Sequence, residues 1–209
     1  MQSRAVALLL FASAVPVAIN ADVINFETFP DHSAIANSTV LASQFPGFSF
    51  TNTIVLTAGI GVNEFEAPPH SGVNEASDNG GAIVIDFTSP ITDFSGYFTY
   101  YVPLTLTAFD AGHVEVDSAA SAYSINVGCD PGSPPTCLGD PESSPNELLS
   151  LHSSAGISEV TILGDPGGGS FTLDDLAFSN TVSAVPEPAS LLLLLSVLGA
   201  AGAVRKRHS

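Results

Sequence analysis

The sequence predicts an all-β fold, a single antiparallel β-sandwich that is jelly-roll-like, from three observations. Apolar and polar residues alternate with a period of two in many short segments, as in strands that bury one face. Clusters of Gly, Pro, Asn and Asp separate these segments and indicate turns. No segment keeps a sustained helical period, so about nine or ten short strands in one domain favour a sandwich.

Each predicted strand is a segment whose side chains of one parity are apolar. In residues 82–88, for example, Ile83, Ile85 and Phe87 share a face. The other predicted strands are residues 23–28, 48–57, 93–101, 104–108, 113–117, 123–127, 148–152, 159–162 and 170–178. The predicted turns are residues 72–81, 110–112, 129–145 and 164–169, and residues 33–43 are the one segment compatible with a helix.

The charge pattern limits the classes of partner. The 209 residues include 4 Lys and Arg against 21 Asp and Glu, a formal charge of −17 at pH 7. Residues 22–204 contain no Lys or Arg. Because nucleic acids are bound through cationic side chains, we expect no nucleic-acid partner. The 45% hydrophobic content argues against a disordered chain.

Residues 1–21 are predicted to form a secretory signal peptide. Arg4 supplies a positive start, residues 5–18 are apolar, and cleavage after Ala21 leaves a small residue at the cut. Cleavage after Ala14 and an uncleaved anchor are the alternatives. The apolar stretch is shorter than a membrane span, which favours a cleaved peptide.

The C-terminal region, residues 185–209, has three parts in a fixed order. They are the Pro-Glu-Pro of Pro186, Glu187 and Pro188, an apolar run at residues 189–204, and the basic Arg205, Lys206 and Arg207. The run predicts a short transmembrane helix, and cations beyond it can reach the lipid headgroups. By the positive-inside rule the basic tail stays in the cytoplasm, so the preceding domain lies outside. Residues 22–180 are thus the exported domain and residues 181–184 a spacer.

These three parts resemble the PEP-CTERM sorting signal of Gram-negative bacteria. The resemblance covers about residues 185–208. It implies export, transient membrane anchoring and recognition near Pro-Glu-Pro by exosortase, a membrane-embedded processing enzyme. It also implies an association with exopolysaccharide and biofilm formation. An ordinary tail anchor is the alternative.

The ends of the exported domain resemble the first and last strands of jelly-roll domains in exported bacterial proteins, including carbohydrate-binding modules. The similar segments are residues 24–27 and 171–178. The resemblance implies a structural Ca²⁺ held by Glu27 and Asp174, with Asp175 as a third ligand. A β-bulge at Asp174 and Asp175 would keep the apolar residues on both sides of it inward. The alternative is two acids on an exposed bulge.

Cys129 and Cys137 are the two cysteines of the chain and bound a Gly- and Pro-containing segment. In an exported chain the simplest interpretation is a disulfide. A metal site would need further soft ligands close by, and the sequence near the two cysteines has none. A closed loop of this length contributes about 2–3 kcal/mol to stability.

Other candidate residues have a structural alternative. His113, Glu115 and Asp117, at alternate positions, could bind a transition metal or form the solvated face of a strand. Tyr97 and Tyr101 share a parity and could contact a glycan or pack in the core.

No hydrolase, phosphate-loop or dinucleotide motif occurs in the sequence. We therefore expect a non-enzymatic exported protein of the cell surface or the extracellular matrix. A Ca²⁺-dependent carbohydrate-binding module is the first alternative, and a secreted hydrolase is the second.

Overall fold

The computed structural model describes residues 21–132 and 134–179, which belong to one unit spanning Asn20–Thr181. The predicted spacer and sorting segment, and the signal peptide up to residue 20, lie outside the described residues. Within them the chain forms twelve strands and no helix, so the predicted all-β class is confirmed. The strands are β1 (Ala21–Ile24), β2 (Thr39–Leu41), β3 (Phe48–Thr51), β4 (Thr53–Thr57), β5 (Asn74–Asp78), β6 (Ile83–Tyr100), β7 (Thr105–Phe109), β8 (Glu115–Ala120), β9 (Cys129–Asp130), β10 (Thr136–Cys137), β11 (Glu147–Leu163) and β12 (Phe171–Ser179).

Ten of these strands form one antiparallel sheet that makes both layers of the sandwich, while β9 and β10 form a separate pair. The order along the sheet is β2-β4-β5-β12-β6-β11-β7-β8, with β1 added beside β12 and β3 beside β6. The first half of β6 pairs with β3 and its second half with β12. The second half of β11 pairs with β7. The two long strands β6 and β11 pair with each other and therefore run through both layers.

The long strands bend where residues leave the ladder of hydrogen bonds. Pairing of β11 with β6 shifts between His152 and Glu159. Gly156, in this stretch, has a φ of 94°, and a Cβ added to it would lie 2.9 Å from Cβ of Pro90. Pro has no N–H to donate, and Gly adopts a positive φ without steric strain. Such irregularities bend a strand, so the sheet turns into its second layer here.

The core between the layers is rich in phenylalanine. Phe178 of β12 meets Phe48 of β3 and Phe87 of β6 at ring-centroid distances of 5.2 and 5.4 Å. Aromatic pairs of this kind contribute about 0.5–1.5 kcal/mol each beyond the burial of their area. Ile83 and Ile85 are also fully buried, as the alternation in the first half of β6 predicts.

Residues 33–43 do not form the helix with which their sequence is compatible. Ser38 has a φ of 66°, which ends any helical path, and the chain then enters β2, which pairs with β4. Leu41 packs into the core from this strand. The segment was compatible with a helix because it is short and contains no proline, but tertiary pairing decided its conformation.

The predicted strand at residues 123–127 is also wrong, although Val127 is buried. Asn126 takes the place of a neighbouring strand through its side chain. Its amide oxygen accepts a hydrogen bond from the N–H of Tyr100 at 2.6 Å, and its amide nitrogen donates to the carbonyl of Phe98 at 2.9 Å. An asparagine side chain thus completes the end of β6 without a ladder.

The predicted turn at residues 72–81 contains β5, which is wholly buried. The sequence Asn-Glu-Ala-Ser-Asp has no large apolar residue, so its pattern does not indicate a strand. The strand nevertheless lies between β4 and β12 inside the sheet. The polar strand has a direct bearing on the candidate site.

Candidate functional site

The outer face of the sheet at β5, β12 and β6 is polar and yet buried. Ala76, Leu173 and Phe98 belong to the inward-facing set, so the residues next to them point outward. The outward residues Glu75, Ser77, Thr99, Thr172 and Asp174 are each at most 5% exposed. A second layer of chain must therefore cover this face.

Two segments provide that cover and are called the loop layer below: residues 59–73, and residues 125–132 with 134–146, which include the β9-β10 pair. Asn146 fixes it to the sheet by donating its backbone N–H to Oγ1 of Thr99 at 3.0 Å. The same residue donates its side-chain amide to the carbonyl of Pro68 at 2.9 Å. The two segments are thus bonded to each other and to β6.

Glu27, the first predicted calcium ligand, lies shortly after β1 and binds the end of the loop layer. Its Oε1 accepts hydrogen bonds from the N–H groups of Val73 at 2.7 Å and Asn74 at 2.8 Å. Gly72 has a φ of 60°, and a Cβ there would collide with the Glu27 carboxylate. The carboxylate therefore sits against bare backbone.

Asp174 and Asp175 form the predicted bulge of β12. Pairing with β6 shifts between Asp174 and Ala177, and Asp175 has a φ of 45°. Oδ2 of Asp174 accepts the N–H of Ser71 at 2.7 Å. Asp175 accepts the hydroxyl of Ser71 at 2.8 Å, and its other oxygen lies 2.6 Å from Nδ1 of His70. Both acids thus bind the same loop segment as Glu27.

The structure brings the three predicted calcium ligands to one loop but does not gather them around one point. Calcium takes six to eight oxygen ligands. Across residues 21–132 and 134–179, no group of three or more His, Cys, Asp or Glu side chains is arranged to hold a metal ion. The carboxylates of Glu27, Asp174 and Asp175 accept N–H and O–H donors instead. A Ca²⁺ ion on this set of three stays a prediction.

Glu75 is the acid that sequence reasoning missed. It is fully buried, and across residues 21–132 and 134–179 neither of its carboxylate oxygens meets a hydrogen-bond partner. The register pairs Ala76 with Leu173, so Glu75 comes opposite Asp174 on the adjacent strand. The sequence around Glu75 is short and polar and does not indicate a buried strand. Only the presence of an acidic residue could have marked this position as a candidate.

Burial sets the ionisation of this pair. Desolvation raises the pKa of Glu75 to about 7, although the adjacent hydroxyl of Thr172 opposes the rise, and the negative charge of Asp174 adds to it. Desolvation also raises the pKa of Asp174 to about 6, although the N–H groups of Ser71 and Asp175 oppose the shift. Both carboxyls therefore bind protons more tightly than an exposed acid does.

The two predicted glycan-contact tyrosines are engaged within the protein. The ring of Tyr97 stacks on the imidazole of His70, with centroids 3.4 Å apart and planes inclined by 9°. The hydroxyl of Tyr101 donates to Oε2 of Glu66 at 2.9 Å. One face of Tyr97 is therefore covered, and contact of Tyr97 and Tyr101 with a glycan stays a prediction.

His113, Glu115 and Asp117 do not share one strand, because β8 begins at Glu115. His113 lies in the preceding turn with a φ of 58°, and its Nδ1 is 3.5 Å from the carboxylate of Glu159. Asp117 accepts the N–H of His152 at 2.7 Å. His113 and Asp117 thus have separate partners.

A shallow cleft of about 420 Å³ opens in the loop layer between residues 59–65 and Asp130. The amide of Asn63 donates to Oδ2 of Asp130 at 3.0 Å and joins the two sides. Phe65, at the cleft, is 49% exposed. The cleft thus combines an exposed aromatic ring with amide and carboxylate groups.

The disulfide adjoins a residue that lines this cleft. Cys129 and Cys137 are bonded, as predicted, and join β9 to β10. Cys129 directly precedes Asp130, so the bridge limits the movement of one wall of the cleft.

The part of the chain that the structure describes includes no helix able to span a membrane. The predicted transmembrane helix at residues 189–204 lies outside it, together with Pro186, Glu187, Pro188, Arg205, Lys206 and Arg207.

The fold and the loop layer define an all-β sandwich domain. Comparison with known proteins then assigns the C-terminal region: residues 184–207 match the PEP-CTERM protein-sorting motif. The predicted resemblance is confirmed, and the chain carries the signal of an exported protein that is sorted through its C-terminus. No curated protein matches the chain significantly.

Several solved structures resemble the chain at low sequence identity. A cleaved adhesin domain of Lys-gingipain has 14% identity and a TM-score of 0.45, covering 76% of this chain and 97% of its own. A mutant of the carbohydrate-binding module CBM29-2 complexed with mannohexaose has 10% identity and a TM-score of 0.39, covering 78% and 93%. A DUF4465 family protein from Bacteroides caccae has 10% identity and a TM-score of 0.38, covering 81% and 90%.

Proposed function

We propose that the chain is a non-catalytic surface protein that is delivered to the cell envelope or the extracellular polymer matrix. The observation that carries the proposal is the sorting motif at residues 184–207. An exosortase-type enzyme recognises the Pro-Glu-Pro, while the following apolar helix anchors the chain transiently in the membrane. The disulfide suits the oxidising compartment outside the cytoplasm.

The charge of the exported domain restricts what it can bind directly. Because residues 22–204 contain no Lys or Arg, the domain has no fixed cation with which to attract an acidic polymer. Neutral polysaccharide, or acidic polysaccharide bridged by divalent cations, is the partner that fits this surface. Association with exopolysaccharide and biofilm is part of the proposal.

Replacing Pro186, Glu187 and Pro188 with alanines tests the sorting step. We expect the variant to keep its tail in the native host, because the processing enzyme no longer recognises its target. The measurement is the mass and the membrane or extracellular location of the protein. Alanines at Thr181, Val182 and Ser183 are the matched control and should leave processing normal. Normal trimming of the Pro-Glu-Pro variant would contradict the proposal.

Carbohydrate binding is the second candidate function, and the cleft at Phe65 is the observation that favours it. Sugar rings present apolar faces to aromatic side chains and hydroxyls to amides and carboxylates. Asn63, Glu64 and Asp130 line the cleft beside the exposed ring. The cleft is a better candidate than Tyr97, whose ring is stacked on His70.

Co-sedimentation of the exported protein with the host's extracellular polysaccharide tests this candidate, in Ca²⁺ and in EDTA. We expect retention, and we expect Phe65→Ala to weaken it about tenfold through lost apolar contact. Val114→Ala shortens an apolar side chain that is 60% exposed and lies outside the cleft, and it serves as the control. Absence of retention in both conditions would leave a structural surface protein, and release of soluble sugar would indicate a hydrolase.

A further inference from the structure

Among the residues that the structure describes, no Lys or Arg is present to pair with the buried carboxyl group of Glu75. Residues 22–204 supply no Lys or Arg, and the nearby imidazole of His70 binds Asp175. Buried charges in proteins are normally paired or coordinate a metal. Within the described part of the chain the two oxygens of Glu75 have no partner, which points to a bound ligand.

A second carboxylate lies directly beside Glu75. Asp174 is opposite it across β5 and β12, on the same outward face, and is 1% exposed. Each oxygen of Asp174 accepts one N–H, from Ser71 or from Asp175, which leaves lone pairs free. The side chain of Thr172 adjoins Glu75 on this face and adds a hydroxyl oxygen.

We propose that Glu75 and Asp174 together bind a divalent cation that prefers oxygen ligands, above all Ca²⁺, beneath the loop layer. Two carboxylates match its charge, and the available donors are all oxygen atoms, which suit hard cations. Backbone carbonyls and water would have to supply the remainder of the six to eight ligands. The site shares Asp174 with the set predicted from the sequence but replaces Glu27 and Asp175 with Glu75.

Binding at this position would join the sheet to its cover. The cation would bridge β5 and β12, and Asp174 already holds the N–H of Ser71 in the loop layer. The loop layer also forms the cleft at Phe65, so the cation would stiffen the surface around that cleft. The cation site stands on the buried acids alone and does not depend on the proposed carbohydrate binding.

Thermal unfolding of the exported protein after removal of metal with EDTA, with CaCl₂ then added in excess, tests the proposal. We expect Ca²⁺ at one hundred times its Kd to raise Tm by about 5–10 °C. Isothermal titration with CaCl₂ should give one ion per chain. Glu75→Gln keeps the shape of the side chain and should abolish both signals while raising Tm in EDTA. Glu27→Gln is the matched control and should keep the calcium response.

Several outcomes would overturn the proposal. A wild-type protein whose Tm ignores Ca²⁺ but rises when the pH is lowered to 5 would show that Glu75 binds only a proton. A calcium response that survives in Glu75→Gln and disappears in Glu27→Gln would place the ion on the set predicted from the sequence. If Glu75→Gln fails to fold, Glu75→Asp replaces it in the test. This variant keeps the charge but shortens the side chain, so we expect a lower affinity for calcium.

Discussion

At the scale of single residues, several acids accept hydrogen bonds from backbone N–H groups. In other proteins such acids often pair with basic side chains, which residues 22–204 do not contain. Glu27 caps the N–H groups of Val73 and Asn74, and Asp174 caps that of Ser71. Charge-assisted bonds of this type are stronger than neutral ones. They fix residues 71–74 in place, and the close fit of Glu27 requires a glycine at position 72.

Replacing Gly72 with alanine should destabilise the domain by about 2–4 kcal/mol, because it adds a collision with Glu27 to the strain of a positive φ. Urea unfolding measures the change. Gly80→Ala is the control, since Gly80 also has a positive φ but open space around its Cα. We expect only about 1 kcal/mol there. Equal losses at the two positions would show that the Glu27 contact is unimportant.

At the scale of strands, the alternation of apolar and polar residues predicted those strands that carry several large apolar side chains on one face. It located both halves of β6 and of β11, although it did not show that each pair of halves is one bent strand. The join lies at Pro90 and Gly156, residues that ordinarily indicate turns. Here they face each other across the ladder and bend it.

β5 could not be predicted, because its side chains do not carry the signal of a strand. Of the inward-facing side chains of β5, only that of Ala76 is apolar and packs in the core. The outward-facing side chains are buried because the loop layer covers them. Burial by distant chain leaves no periodicity in the local sequence. Glu75 therefore stayed hidden, whereas Glu27, Asp174 and Asp175 could be selected from the resemblance of the end strands.

The surroundings of the predicted glycan-contact tyrosines could not be predicted either. Tyr97 and Tyr101 have the parity that the sequence indicates, but no local pattern reveals that His70 covers Tyr97. The stacking partner comes from the loop layer, a segment without alternation. Candidate residues on strands could thus be found from the sequence, while the residues that cover them could not.

At the scale of the whole molecule, the distribution of charge controls the dependence of stability on pH. Glu75 and Asp174 have pKa values raised to about 7 and about 6 by burial, so folding binds protons at these groups. Asp93 has its pKa lowered to about 2 by hydrogen bonds from Ser179, Thr92 and His152, so folding releases a proton there. The net charge of −17 at pH 7 adds self-repulsion that grows with pH.

In EDTA the domain should therefore be most stable at about pH 4–5. Stability should fall by about 2–5 kcal/mol as the pH rises through the interval from 4.5 to 7, because the unfolded chain releases these two protons first. Below pH 4, protonation of Asp93 should produce a smaller loss, since this residue is exposed. Denaturant unfolding at a series of pH values measures the profile.

Glu75→Gln is the variant that checks the cause of this profile. It removes one of the two raised groups and should flatten the loss between pH 5 and pH 7. A profile unchanged by the substitution would assign the pH dependence to general charge repulsion instead.

The pairing of β1 with β12 has a mechanical consequence. Ala21 lies opposite Ser179, and β12 is held between β6 on one side and β1 and β5 on the other. If the sorting tail anchors the chain in the membrane as proposed, drag on the domain would load β12 from its C-terminal end, which precedes the tail in the sequence. Hydrogen bonds of an antiparallel ladder run perpendicular to the strands, so this pull shears many of them at once. The pairing of β12 on both sides thus suits a strand that would carry such a load.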